Sequence, residues 1–232
     1  MDLKILGGWP IVLSIFLQGL FCDMSKPLIL VGGGGHCKSV IEAAESVGRA
    51  IYGIIDLEKF VGTKCLGYNV IGTDEDLSTY VSEYDFLITL GFIKNPYRRI
   101  WLYNKVMELH GTFATIVAST AHVSKFAHVG NGTVILHGVN INAGASIGAN
   151  CIINTGAIIE HDVKIGHHTH VSTGARINGD CNIANETFIG SGAIICNGVS
   201  VVSNSIVGAG AVVCRDITEA GTYVGVPAKR IK

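Results

Sequence analysis

The chain has 232 residues, 48% of them hydrophobic and 15% charged, with a formal net charge of −1. That length holds one large or two small domains with a substantial core. The near-neutral balance excludes an electrostatic footprint for nucleic acid. Seven cysteines, widely spaced and with no C-x-x-C pair, argue for reduced thiols in a cytosolic protein and against a disulfide framework.

Residues 1–24 form a leader or N-terminal extension. Ile5 to Cys22 carries no charge, and WPIVLSIFLQGLF within it is apolar. A signal peptide or membrane anchor is one expectation for such a run. Against it stand the single basic residue Lys4, Pro10 within the run and the lack of an A-x-A cleavage site. An upstream extension or peripheral tail, with the natural start at Met24, is the preferred expectation.

Residues 25–116 alternate strands and helices, which predicts a small Rossmann-like α/β domain with a parallel sheet. LILV (28–31) is a short buried strand and GGGGH (32–36) a turn. CKSVIEAAESVG has helical spacing and closes on Gly48. IYGIID (51–56) is a second strand, DEDLSTY a short helix, DFLITLG (85–91) a third strand, and PYRRIWLYNKVMELHG a helix with Pro in its first turn. A strand, a glycine-rich turn and a helix N-terminus together make an anion site, because free N–H groups and the helix dipole both favour negative charge. Gly33, Gly34, Gly35 and His36 at its mouth are therefore candidate substrate-binding residues, as is Asp56, which ends the second strand where an acid can hold a ribose hydroxyl. The turn is not a dinucleotide fingerprint: Cys37 or Lys38 stands where the third glycine would be.

From residue 117 onward the period changes. Every sixth residue from Val117 to Val213 is Ile or Val, without an insertion, and four places after each lies a mostly small residue such as Ala145, Cys151, Ala157 or Ala175. No helix or ordinary strand has period six; a parallel β-helix does. Residues 117–232 are thus predicted to be all-β, a stack of coils with aliphatic residues inside, about 27 Å tall at the usual inter-strand spacing. Its triangular, left-handed form is the one that the pattern resembles.

VGGGGH near the start, NTGAIIEHDVKIG and HVSTGA in the middle and YVGVPAKRI at the end resemble the bacterial nucleotide-amino-sugar acetyltransferases, a family often grouped with sialic acid O-acetyltransferases. The likeness covers residues 25–232. It implies an acetyl-CoA-dependent, cytoplasmic homotrimer with no metal, in which the small domain holds a UDP-linked amino sugar and acetyl-CoA lies in the groove between prisms. The resemblance assigns the general base to His161, with Asp162 where the family often has Glu. It assigns Asn154 to the substrate site, and His170 and the Gly179 amide to the acetyl group. Lys229 and Arg230, in the tail, would meet the phosphates of coenzyme A.

The chemistry fits these residue types. An amine attacking a thioester needs a base poised near neutral pH, and imidazole is that side chain. A carboxylate beside it fixes the tautomer, and the thioester oxygen needs a preorganised donor. One coil of about 18 residues places Ala143 below His161 and Gly179 above it. The near-absence of side chains there leaves room for a ligand and exposes the Gly179 N–H. His161 and His170 lie half a coil apart and face different directions within one prism, which implies a site shared between subunits. His122, His128, His137, His167 and His168 are read as solvated surface, Cys151 and Cys181 as packing, and Asn140 and Asn142 as turn caps. The expected reaction is direct N-acetylation of a UDP-linked deoxy-amino sugar. Alternatives are O-acetylation of sialic acid or another sugar, and a non-catalytic sugar-nucleotide-binding scaffold.

Overall fold

The computed structural model describes residues 25–232, so the leader lies outside the described residues. Among these, no helix is long and apolar enough to cross a membrane.

The first part is an α/β layer. β1 (Leu28–Val31), α1 (Gly35–Glu45), β2 (Ile51–Ile55), β3 (Lys64–Cys65), β4 (Tyr68–Gly72), α2 (Leu77–Tyr80), β5 (Asp85–Ile88), α3 (Tyr97–Glu108) and β6 (Thr112–Phe113) follow in order. The sheet runs β3-β4-β2-β1-β5-β6. β1 pairs in parallel with both β2 and β5 and is wholly buried, which is why LILV carries no polar position. Three features differ from the sequence expectation, the first being β6, a parallel edge strand beside β5 that it does not contain. The β3–β4 hairpin, antiparallel through Cys65↔Tyr68, has no counterpart in it. α1 begins at Gly35, two residues before Cys37, so the last two glycines of the turn form the first turn's mouth.

The second part is a parallel β-helix of the left-handed hexapeptide type. Its two-residue strands stack on three faces. Face one runs from Ile116–Val117 up to Thr222–Val224, face two from His122–Val123 to Val212–Val213, and face three from His128–Val129 to Ser200–Val201. Partners in adjacent coils are in register, as in Val134↔Ile152 and Ile158↔Arg176. The hexad aliphatics and the small residues four places on share one buried column, including Ile141, Ala145, Cys151, Ile159, Val163, Ile177 and Cys181. The corners have a signature of their own. Every sixth residue from Gly132 to Gly210 has positive φ, and where it is not glycine it is Asn150, Asp162, His168, Asp180, Glu186 or Asn204. Left-handed backbone at the corner favours glycine and short polar residues.

The two parts share a seam. The outward ladder of face one reads Ile116, Val134, Ile152, His170, Phe188, Ile206. Its lower members form one cluster with Val40, Ile41, Ala43 and Ala44 of α1. The buried Arg99 of α3 reaches across, donating to the carbonyls of Ile88 and Leu90 in its own domain and of Asn150 in the prism.

The interior column should be the main source of prism stability. Ile177 is 0% exposed, so Ile177→Ala should cost about 2–5 kcal/mol. Arg176→Ala, on the exposed side of the same strand, should stay within about 0.5 kcal/mol. Urea unfolding followed by circular dichroism checks both; similar midpoints for the two variants would mean that the aliphatic ladder does not carry the fold.

Candidate active site

His161 stands at the corner between faces two and three, exposed to solvent, followed by Asp162 in the left-handed conformation (φ 61). That backbone turns the carboxylate back onto the ring: His161 Nδ1 lies 2.9 Å from Asp162 Oδ2. Asp162 accepts the Nδ1–H, which leaves the lone pair on Nε2. The hydrogen bond to Asp162 raises the pKa of His161 above its ordinary value, and the charges of Asp162, Glu160 and Asp180 add to it while desolvation opposes.

One coil above lies Gly179. A Cβ there would sit 2.6 Å from both Nε2 and Cε1 of His161. The absence of a side chain at Gly179 therefore makes room for the imidazole itself. This corrects the expectation of open ligand space on that side: the ring itself fills it, and Gly179 as a residue is buried. Its N–H has no hydrogen-bond partner among the described residues. The same coil spacing brings in residues that the sequence reading passed over. Asn142, read as a turn residue, donates to Glu160 at 2.7 Å, 18 residues away.

His170 is elsewhere. It sits in face one, 7% exposed, against Phe92 and Phe188. Its Nδ1 donates to the Phe92 carbonyl at 2.8 Å, so its Nε2 is an acceptor, 3.4 Å from Asn154 Nδ2. Burial pulls its pKa down to about 4, with the Arg99 charge adding and the Phe92 hydrogen bond opposing. His36, expected at the mouth of the glycine turn, instead faces His170 with ring centroids 6.4 Å apart. Burial, then Arg99 and His170, lower it to about 3, and its Nε2 has no partner. His168, expected on the solvated surface, is half-buried edge-on to Tyr103 and lowered to about 4, chiefly by burial. His137 is hydrogen-bonded to Thr120 at 2.8 Å. Thus Asn154, His170 and His36 converge on the seam between the domains, and His161 with Asp162 occupies a separate edge.

The glycines of the turn divide in two. Gly32 has φ +110, and a Cβ there would clash with Leu90; at Gly33 it would clash with Asp56. Gly34 and Gly35 face open space. Asp56 accepts from the N–H groups of Gly33 (2.8 Å) and Leu57 (2.7 Å), so it shapes the turn. Beside it a cavity of about 330 Å³ is lined by Gly33, Gly34, Lys38, Asp56 and Lys64, among others. Lys38 and Lys64 supply the cations there.

At the other end, Arg230 is paired with Glu219 at 2.7 Å and donates to the Ala220 carbonyl. Lys229 lines a cavity of about 460 Å³ with Cys214, Arg215, Asp216 and Tyr223. Arg215 stands on the same corner as His161, three coils higher, or about 14 Å at the usual strand spacing. Among the described residues no group of His, Cys, Asp and Glu is arranged to hold a metal ion.

Residues 27–106 match the PglD N-terminal domain and residues 144–179 the bacterial transferase hexapeptide (six repeats). Among solved structures, PerB from Caulobacter crescentus, in complex with CoA and GDP-perosamine, is 31% identical at a TM-score of 0.83, covering 89% of this chain and 97% of that one. The acetyltransferase domain of PglB from Neisseria gonorrhoeae is 30% identical at a TM-score of 0.82, over 89% of this chain and 100% of that one, and is also known in complex with acetyl coenzyme A. This chain belongs to the bacterial nucleotide-amino-sugar acetyltransferases. It is an acetyl-CoA-dependent acetyltransferase. WeeI from Acinetobacter baumannii shares the fold at 21% identity, with a TM-score of 0.79 over 88% of this chain and 99% of that one. Curated proteins give no match.

For this acetyltransferase, the contact between Gly179 and the His161 ring is directly testable. Gly179 does not have a positive φ, so Gly179→Ala adds no backbone strain, only a methyl where the imidazole lies. Displacing the ring by about 1 Å should lower kcat/KM for acetyl transfer on the order of 10²-fold, with the circular dichroism spectrum unchanged. Activity within twofold of the parent would show that the ring position is irrelevant to the chemistry.

Proposed function

We propose that this enzyme transfers the acetyl group of acetyl-CoA to the amine of a UDP-linked deoxy-amino sugar, with His161 as general base. One observation carries this: an exposed imidazole whose Nδ1 is held by a carboxylate and whose Nε2 is free, at a corner that leads up to a cationic cavity. Nε2 takes the proton from the sugar ammonium or from the attacking amine. Asp162 holds the ring in the productive tautomer and stabilises the imidazolium that forms. The amine nitrogen attacks the thioester carbon, and the oxygen that gains charge is met by the unpartnered Gly179 N–H. Collapse expels the coenzyme A thiolate, which takes up the proton.

Acetyl-CoA would lie along the corner that carries His161, its thioester at His161 and its phosphates near Arg215 and Lys229. The nucleotide of the sugar would bind in the α/β domain, with phosphates at Gly34, Gly35, Lys38 and Lys64, where a helix N-terminus and two cations favour an anion. Asn154 and His170 would act from the seam; being neutral and an acceptor at Nε2, His170 suits an amine or hydroxyl donor better than an oxyanion. Because His161 is exposed in one chain, the crevice needs a second wall. A homotrimer, with acetyl-CoA between neighbouring prisms, supplies it.

The Caulobacter crescentus relative was solved with GDP-perosamine, which favours a GDP-linked sugar as the second reading. Steady-state assays with acetyl-CoA and either UDP- or GDP-linked 4-amino-4,6-dideoxy sugar decide between them by kcat/KM. Turnover of the GDP substrate alone would overturn the UDP assignment.

His161→Ala should reduce kcat by about 10²–10⁴-fold; a loss below about tenfold would be too small for a general base.

The pH profile tests Asp162 separately. The base works when deprotonated, so activity rises as pH passes through the pKa of His161. Asp162 raises that pKa; Asp162→Asn, which tolerates the left-handed backbone, should move the acidic limb of kcat/KM to lower pH and depress the plateau. An unmoved limb would remove Asp162 from the mechanism.

A further inference from the structure

The corner that carries His161 also carries two thiols. Glu160, Asn178, Cys196 and Cys214 follow one another at the coil spacing, each beside a member of the stack His161, Gly179, Asn197, Arg215. Cys196 and Cys214 are thus in register on adjacent coils: the Cys196 N–H donates to the Val213 carbonyl at 2.9 Å. Their sulfurs are 3.5 Å apart. Adjacent coils of a parallel stack are separated by about 4.8 Å, which lies inside the Cα separation of about 4.4–6.8 Å that a disulfide spans. A side-chain rotation, without backbone movement, is enough to join them. Access differs between the two. Cys214 is exposed and lines the cavity with Arg215 and Lys229; Cys196 is half-buried behind it. The other described cysteines, Cys37, Cys65, Cys151 and Cys181, are buried.

We propose that Cys196 and Cys214 form a reversible thiol–disulfide site on the acetyl-CoA path, with low-molecular-weight disulfides as reagent. The Cys214 thiolate attacks one sulfur of the small disulfide RSSR, forms Cys214–S–S–R and releases RS⁻. The Cys196 thiolate then attacks Cys214 Sγ, forms the Cys196–Cys214 bond and releases the second RS⁻. Two protein thiols are oxidised, one disulfide is reduced to two RSH, and the two thiol protons end on them. Rates follow the thiolate fraction and access, so the exposed Cys214 is the entry thiol and Cys196 the resolving one. The placement on the acetyl-CoA path rests on the function proposed above; the chemistry of the pair does not. A coenzyme lying along that corner covers Cys214, so occupancy of the donor site controls whether the pair can be modified.

The test uses the full chain and glutathione disulfide, followed by intact mass and peptide mapping. The parent protein should lose two hydrogens, with the bond mapped to Cys196–Cys214 and reversed by dithiothreitol. Cys196→Ser should stop at a single glutathionyl adduct on Cys214, and Cys214→Ser should form neither species at this corner. Circular dichroism melts of both variants report that they are folded. Desulfo-CoA, which fills the donor site without bringing a competing thiol, should at about ten times its Kd slow the reaction of the parent about tenfold. Absence of the Cys196–Cys214 bond in protein that still transfers acetyl groups overturns the thiol site and leaves the proposed function standing. Bond formation at the same rate with and without desulfo-CoA overturns the placement of the donor along this corner, and with it the control by occupancy.

Discussion

The constraint on which everything else rests is the backbone register between coils. Asn142 N–H donates to Ile159 O, Glu160 N–H to Ile177 O, and Asp180 N–H to His161 O. Each bond fixes one coil at a set rotation above the last, so residues one coil apart sit directly over one another. In a helix or an ordinary sheet, neighbours depend on how separate elements happen to pack. Here a single repeat length determines all of them. That repeat survives because its interior admits little variation: an aliphatic residue on each face and a small one in each corner, with left-handed backbone at every sixth position. An inserted residue would put side chains meant for the interior into water, and every ladder above it, including the one that carries His161, would lose register.

Within that frame the same side chain takes opposite electrostatic roles. His161, in water and bonded to Asp162, has its protonated form favoured. His36, His168 and His170, in the seam, have theirs disfavoured by burial and by the Arg99 cation. A base needs the first environment. The seam needs the second, since a buried guanidinium already occupies it and further positive charge would be costly. Arg99 is itself lowered to about 9 by burial, and one of its nitrogens, with His36 Nε2 and Asn150 Oδ1, has no partner. Buried polar groups of this kind lie where the α/β domain meets the prism, so the join is polar at its centre, with apolar contacts at the α1 cluster below and between Phe92 and Phe188 beside His170.

These two halves of the molecule were unequally legible in the sequence. The prism could be read because its contacts follow from counting. Val163 and Cys181 as interior residues, and Gly179 over His161, need only the repeat and the coil length. Counting also holds the Asn142–Glu160 pair, which a turn-cap role for Asn142 hides. The seam could not be read in that way. His36 meets His170, and Phe92 O accepts from His170, across long stretches of chain, and no local pattern marks such pairs. The signal that was available lay in the face-one ladder. Ile116, Val134, Ile152, Phe188 and Ile206 point outward yet are apolar, which says that something covers them, and the histidine among them should then have been expected in a buried place. The β3–β4 hairpin escapes for a simpler reason: Leu66 and Gly67 take positive φ after a strand of only two residues, too short to show alternation.

The division of the prism surface also bears on where chemistry can occur. Face one is covered by the α/β domain, so an acyl donor as long as acetyl-CoA cannot run along it. The corner between faces two and three faces solvent at Ala143, His161 and Arg215, and among the described residues it alone carries an exposed imidazole with its carboxylate at one height and a cationic cavity three coils above. An open corner is a poor reaction vessel, because water screens the charges that an oxyanion or an imidazolium would feel. The α/β domain cannot supply the missing wall, since Arg99 and the α1 cluster fasten it to the other side. A site built on His161, as proposed above, would therefore be completed from outside the chain, and a second prism packed along the corner is the element whose length and straightness would match it.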